Sequence, residues 1–236
     1  MPSTLMSFHV CGRFRDDGSE AEVKVSLEKD REKLIQHLRR EIEDERVLDA
    51  MGRVRRELFV PSSSRCYAYD DRPLPIGEDQ TISQPFIVAL MTQALLLTGS
   101  EKVLELGTGS GYQAAILAEL VRQVITVERM QKLAQTAKHT LERLSYTNIE
   151  VKLAQRTLGW PAEAPYDAII VTAAAPTIPQ ALVDQLVVGG RLVIPVGSRW
   201  EQDLRQVIRM DEGMTVKSLT RCRFVPLIGE EAWDEE

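Results

Sequence analysis

The chain has 236 residues, a formal net charge of -6 from 29 Lys plus Arg against 35 Asp plus Glu, and an apolar fraction of 44%. That balance is too apolar for a disordered chain, and no apolar run approaches the roughly 18 residues that a membrane span needs. The acidic excess argues against nucleic acid as the main partner, since such domains usually carry a basic excess.

Residues 1–28 hold the polar stretch Arg15-Asp16-Asp17-Gly18-Ser19-Glu20 and a short alternating run from Ala21 to Val25. No element is expected there, and the segment reads as a flexible or loosely docked leader. From Lys29 a charged amphipathic helix is expected, with Leu34, Ile35, Leu38 and Ile42 on one face. A second helix follows with Val47, Leu48, Met51 and Val54 on a face. Residues 59–84 lack a helical period and hold Pro61, Pro73, Pro75 and Gly77, so loops and short extended pieces are expected. An irregular stretch of this length inside a compact domain is usually functional.

A helix opens at Pro85 and runs to about Leu97, before Gly99. Val- and Ile-rich runs then alternate with helical segments. The runs are 102–106, 124–128, 149–153, 167–172, 191–196 and 206–209; the helices include 112–121, 130–144 and 179–187, the last closed by Gly189-Gly190. Apolar runs each followed by a helix imply parallel strands covered on both faces. Residues 218–228 suit an antiparallel edge. The expected class is therefore α/β: a Rossmann-like, mostly parallel twisted sheet with an antiparallel C-terminal edge. One domain over 29–236 is expected, with 29–84 as its helical and loop substrate region.

Cys11, Cys66 and Cys222 are far apart and lack zinc-type spacing, so they read as unpaired thiols in a reducing compartment and no metal site is expected. No signal-peptide pattern is visible, which makes the cytoplasm the expected location.

The strongest local signal is Val103-Leu104-Glu105-Leu106-Gly107-Thr108-Gly109-Ser110-Gly111-Tyr112, a strand, a glycine turn and a helix start. Glycines let the backbone turn tightly and approach a ligand, and helix N-terminal amides face the turn. The next strand ends in Glu128, placed to accept hydrogen bonds from ribose hydroxyls. A dinucleotide fingerprint needs its third glycine where Tyr112 stands. The G-x-G-x-G spacing instead resembles the first motif of S-adenosylmethionine (AdoMet) methyltransferases. A second signal is Gln80-Thr81-Ile82-Ser83-Gln84-Pro85, in which Ser83 or Gln84 also suits a helix cap. Ser83 has no nucleophile elbow, and His9, His37 and His139 lie outside the expected crevice, so a serine hydrolase is not indicated.

Taken together, Asp71-Arg72-Pro73-Leu74-Pro75-Ile76-Gly77, the Thr81-Ile82-Ser83-Gln84-Pro85 segment, the glycine turn, Ile178-Pro179-Gln180-Ala181-Leu182 and Phe224-Val225-Pro226-Leu227 resemble the protein-L-isoaspartate (D-aspartate) O-methyltransferases. The resemblance runs from about Leu34 to Trp233. It implies methylation of the free α-carboxyl of L-isoaspartyl residues, and of the D-aspartyl side-chain carboxyl, as the first step of protein repair. It implies AdoMet as cofactor and isoaspartyl peptides and proteins as partners; a monomer is expected, with no nucleic acid or membrane partner. By the resemblance Ser83 is the active-site serine. Thr81 and Ile82 lie beside substrate and cofactor. Glu105, Gly107, Thr108, Gly109, Ser110 and Gly111 form the cofactor turn, and Glu128 is the ribose acid.

Two positions depart from the family pattern. Where the family usually has Gly-Asp-Gly, this chain has Ala154-Gln155-Arg156, so Gln155 replaces the carboxylate that reads adenine, and Arg156 brings a positive charge toward a cationic cofactor. Asp79 stands where the family often has Gly. These departures leave open a catalytically weakened AdoMet- or partner-binding homologue. A methyltransferase for a small molecule or RNA is a further alternative.

Overall fold

A computed structural model describes residues 20–234 of the chain. Its elements are α1 (Glu20–Leu38), α2 (Glu45–Arg53), 3-10 turns at Arg56–Leu58 and Ser62–Tyr67, β1 (Leu74–Gly77), β2 (Gln80–Ile82), α3 (Pro85–Ala94), β3 (Lys102–Leu106) and α4 (Tyr112–Ala118). Then come β4 (Gln123–Glu128), α5 (Gln131–Arg143), β5 (Ile149–Leu153), a 3-10 turn at Pro161–Glu163, β6 (Tyr166–Val171), α6 (Gln180–Val183), β7 (Leu186–Gly197), β8 (Gln202–Arg209) and β9 (Met214–Cys222).

Seven strands form one sheet in the order β5-β4-β3-β6-β7-β8-β9. The first five pair in parallel, and β8 and β9 add antiparallel at the edge. Side chains alternate across the sheet with the period of two that a strand imposes. Val103, Ala168, Ile170 and Val193 face a layer that includes Met91 and Leu95 from α3 and its end, with Ala114 and Leu117 from α4. Leu104, Leu106, Ile169, Val171, Leu192 and Ile194 face the other side with Leu182 and Val183 of α6. A third cluster joins α1, α2 and the 59–82 region to α4 through Leu38, Leu48, Met51, Phe59, Ile82 and Ile116. A sheet buried on both faces explains why its strands read as near-continuous apolar runs.

The strand order reverses at β3, which has β4 on one side and β6 on the other. In open parallel sheets this is where the connecting loops diverge and leave a crevice at the strand C-termini.

Four sequence expectations need correction. Helix α1 starts at Glu20, not Lys29, so the alternating run 21–25 is helical; good helix formers around it outweigh the valines. Residues 1–19 of the expected leader lie outside the described residues. Helix α3 stops at Ala94, and Leu96 takes a left-handed φ of 52°. Helix α6 is four residues long, because Leu186 already pairs with Tyr166 and Gly189-Gly190 lies inside β7. Cys222 is a half-buried free thiol, but Cys66 is disulfide-bonded, contrary to the expectation of unpaired thiols. Among the described residues, no helix is long and apolar enough to cross a membrane, and no cluster of His, Cys, Asp or Glu could hold a metal ion.

Candidate active site

The glycine turn is built by backbone geometry. Gly107, Gly109 and Gly111 all have left-handed φ values of 98°, 52° and 88°, which side chains with a Cβ adopt only at a cost. At Gly107 a Cβ would also lie 2.3 Å from Thr172 Oγ1. That hydroxyl donates to the Gly107 carbonyl at 2.7 Å, tying the turn to the end of β6. The Gly111 amide closes the turn on the Thr108 carbonyl at 2.8 Å.

Glu128 ends β4 beside this turn. One carboxylate oxygen accepts the Gly109 amide at 2.8 Å and the other accepts the Met130 amide at 3.0 Å. The glycine amides thus serve the protein more than an incoming ligand: Gly107 N–H also goes to the Val127 carbonyl. Each Glu128 oxygen keeps a further lone pair for a hydroxyl donor.

These groups open on a cleft of about 450 Å³. Thr81, Ile82, Ser83, Gly107, Thr108, Gly109, Ser110, Glu128, Gln155 and Arg156 all line it. Two residues assigned to the cofactor turn do not. Gly111 packs beneath it, where a Cβ would lie 3.3 Å from Leu141 of α5. Glu105 is fully buried on the sheet face opposite Leu104 and Leu106. Thr126 donates to it at 2.6 Å, and the Thr108 hydroxyl lies 2.6 Å from that of Thr126. Since Thr126 gives its proton to Glu105, Thr108 donates to Thr126. Burial pushes the Glu105 carboxyl up to about 8, against the Thr126 hydrogen bond, with the Glu128 charge adding to the rise.

Ser83 is half-buried and reaches the cleft from the turn between β2 and α3. The cap of α3 comes from neither Ser83 nor Gln84. Gln84 makes no side-chain cap bond, whereas Asp71 Oδ1 accepts the Phe86 amide at 2.8 Å and Oδ2 accepts from Gln84 Nε2 at 3.0 Å.

The triplet Ala154-Gln155-Arg156 follows β5 and forms part of the cleft wall. Gln155 is exposed there. Arg156 pairs with Glu230 at 3.3 Å, so its charge is partly offset rather than directed at the cleft alone.

Sequence reasoning did not single out several lining residues: Gln113, Thr172, Leu158 and Gly159. Gln113 is buried, and its Nε2 donates to Thr92 Oγ1 at 2.9 Å. Thr92 spends its own proton on the Val88 carbonyl, which fixes that amide orientation and leaves Gln113 Oε1 without a partner. Val225, Pro226, Leu227, Ile228 and Gly229 close another wall, with Leu227 bonded to the Ala174 carbonyl at 2.7 Å.

The donor set fits AdoMet. A carboxylate suits the ribose diol, Val127, Leu133 and Leu158 supply an apolar wall for the base, and Gln113 Oε1 is an orphaned acceptor within the lining.

Comparison with known proteins agrees with the geometry. A family model, Protein-L-isoaspartate(D-aspartate) O-methyltransferase (PCMT), matches residues 29–232. The chain is 54% identical over 212 residues to Protein-L-isoaspartate O-methyltransferase 1 of Syntrophobacter fumaroxidans, covering 89% of this chain and 99% of that protein. It is 51% identical over 213 residues to the Protein-L-isoaspartate O-methyltransferase of Petrotoga mobilis, covering 89% and 100%. Among solved structures, a protein-L-isoaspartate O-methyltransferase superposes with a TM-score of 0.77 at 30% identity, covering 86% of this chain and 67% of that one. A Plasmodium falciparum structure described as a putative protein-L-isoaspartate O-methyltransferase, in complex with S-adenosyl-L-homocysteine, superposes with a TM-score of 0.72 at 27% identity, covering 82% and 95%. With the family model spanning most of the chain and relatives matching over nearly their full length, the chain belongs to the protein-L-isoaspartate (D-aspartate) O-methyltransferase family.

Proposed function

We propose that this protein transfers the methyl group of AdoMet to the free α-carboxyl of L-isoaspartyl residues, and to the D-aspartyl side-chain carboxyl, in damaged proteins. The observation that carries this reading is that Ser83 of the family segment and Glu128 beside the glycine turn line one cleft. Bound there, AdoMet supplies an electrophilic methyl group on a sulfonium, open to direct displacement.

An isoaspartyl carboxyl has a reference pKa of roughly 4, so at neutral pH it is already the nucleophile and needs no general base. The chain's own task is to align the attacking oxygen and exclude water from it. We assign the Ser83 hydroxyl to donate a hydrogen bond to the substrate carboxylate. A neutral donor orients that oxygen without quenching it as a cation would. Thr81 and Ile82 flank the serine. Glu128 accepts from the ribose hydroxyls, Gly107, Thr108, Gly109 and Ser110 pass beneath the cofactor, and Gln155 accepts from the adenine amino group.

The methyl ester closes to a succinimide as the neighbouring backbone nitrogen attacks the ester carbonyl, gives up its proton and expels methanol, and addition of water then returns part of the ring to the normal linkage. Neither step needs a residue of this chain. The reading of a weakened homologue rests on the 154–156 triplet: the charge of Arg156 is held in solvent beside the exposed Glu230 and is screened there, while the carboxylate missing at Gln155 bears on AdoMet affinity rather than on the methyl-transfer step. The test is base-labile incorporation of labelled methyl from AdoMet into an isoaspartyl peptide. No incorporation by a folded, AdoMet-bound protein would contradict the proposal.

A further inference from the structure

Arg56 is fully buried, an unusual position for a guanidinium. Its Nε donates to the Ala68 carbonyl at 2.8 Å and its Nη2 to the Ser83 carbonyl at 2.8 Å. The guanidinium carbon lies 4.9 Å from the centre of the Tyr112 ring, at the first residue of α4 after the glycine turn. Nη1 is buried without a hydrogen-bond partner. No carboxylate pairs with Arg56 among the described residues. The nearby Asp71 commits its oxygens to Phe86 and Gln84. Burial accordingly lowers the Arg56 pKa, opposed by Tyr112 among others.

A buried cation without an ion pair is costly, and an apolar side chain of similar length would fill this space without that cost. What an apolar chain would not supply is a planar fork with donors in fixed directions. Here the fork joins three pieces: the loop at Ala68, the peptide of Ser83, and the ring that starts α4. Asp71 fixes the next residues, Gln84 and Phe86. Ser83 is therefore bracketed, with its carbonyl held from one side and the following residues from the other.

We propose that Arg56 is a positioning residue for methyl transfer, setting the orientation of Ser83 through its backbone carbonyl. The proposal rests on the role given to Ser83 above. Arg56 does not line the cleft and acts through the serine.

The test is a double-mutant cycle on the full chain with Arg56→Lys, Ser83→Ala and the pair, measuring turnover of an isoaspartyl peptide and AdoMet affinity by calorimetry. Arg56→Lys keeps the charge and loses the fork. It is expected to lower kcat at least about tenfold, with the AdoMet Kd within about threefold of the parent. In the Ser83→Ala background the same change is expected to cost less than about twofold, because the group it positions is gone. Equal losses in both backgrounds, or an AdoMet Kd weakened as much as kcat, would assign Arg56 to the scaffold and overturn the proposal, leaving the methyltransferase reading intact. Unaltered turnover in Ser83→Ala would overturn both the serine's role and this inference. Arg56→Met goes through the same cycle, so that if the lysine variant fails to fold the other decides; failure of both to fold also overturns the proposal.

Discussion

The Gly109 amide donates to Glu128 Oε2 at 2.8 Å, so the residue proposed to hold the ribose also holds the turn beneath it. The other oxygen holds the first residue after β4 strand's bend, Met130. Glu128→Gln replaces one acceptor with a donor that faces a backbone N–H. We expect AdoMet binding to weaken about tenfold, equivalent to about 1.4 kcal/mol. Turnover at saturating AdoMet should change much less. Calorimetry reads the affinity directly, and an unchanged Kd would remove Glu128 from the ribose site.

Gln155 lines the cleft where a carboxylate is usual in the family. Gln155→Asp restores a charge-assisted acceptor for the adenine amino group. The position is exposed, so the expected gain is modest, about 1 kcal/mol or several-fold in AdoMet affinity. A titration showing weaker binding would refute the adenine assignment.

Glu105 makes the stability of the fold depend on pH. Its carboxyl is raised to about 8 in the folded chain, mainly by burial, from an ordinary value of 4.5. Between these values the folded state keeps a proton that the unfolded state has lost, so stability falls as pH rises through this window. The contribution is fully present below about pH 4.5 and is lost progressively toward pH 8. Glu105→Gln has no such proton to lose. Relative to the parent, it should gain on the order of 3 kcal/mol between pH 5 and 8. Thermal melts of both proteins across that range give the comparison. Parallel curves would show that Glu105 does not titrate in this window.

The turn between β1 and β2 carries strain. Gly77 pairs with Gln80 across a two-residue turn, and both of its residues, Glu78 and Asp79, have left-handed φ values of 51° and 53°. Such turns favour Gly at the second position. Asp79→Gly should stabilise the fold by about 0.5–1 kcal/mol, raising Tm by about 2 °C. A lowered Tm would mean that the Asp79 side chain makes a contact worth more than the strain.

How much of this was legible depended on whether a residue's role follows from local pattern. The parallel strands were visible because burial writes apolar runs: 102–106 matches the buried β3 at both ends, and 149–153 matches β5, a half-exposed edge strand whose Ile149, Val151 and Leu153 alternate with Glu150 and Lys152. The antiparallel edge was visible only coarsely, since β8 starts at Gln202 and its polar residues mask its beginning. The glycine turn announced itself, but spacing could not tell Gly109, in the cleft lining, from Gly111, packed on Leu141. The period of two does put Glu105 on the face away from its neighbours Leu104 and Leu106, but only tertiary packing shows that this face is buried too, with Thr126 against the carboxyl. Arg56 was illegible: Arg55-Arg56-Glu57 reads as surface, and only tertiary contact shows the second arginine buried. Asp71 stands fourteen residues before the helix it caps, so no local cap pattern reveals it.

Isoaspartyl specificity is read from two peptides that differ only at one linkage, isoaspartyl in one and normal aspartyl in the other, offered as methyl acceptors with AdoMet. Base-labile methylation of the isoaspartyl peptide is expected, with a kcat/KM at least about a hundredfold above that of its normal twin. Equal rates on both peptides, or methylation of neither by a protein that binds AdoMet, would contradict it.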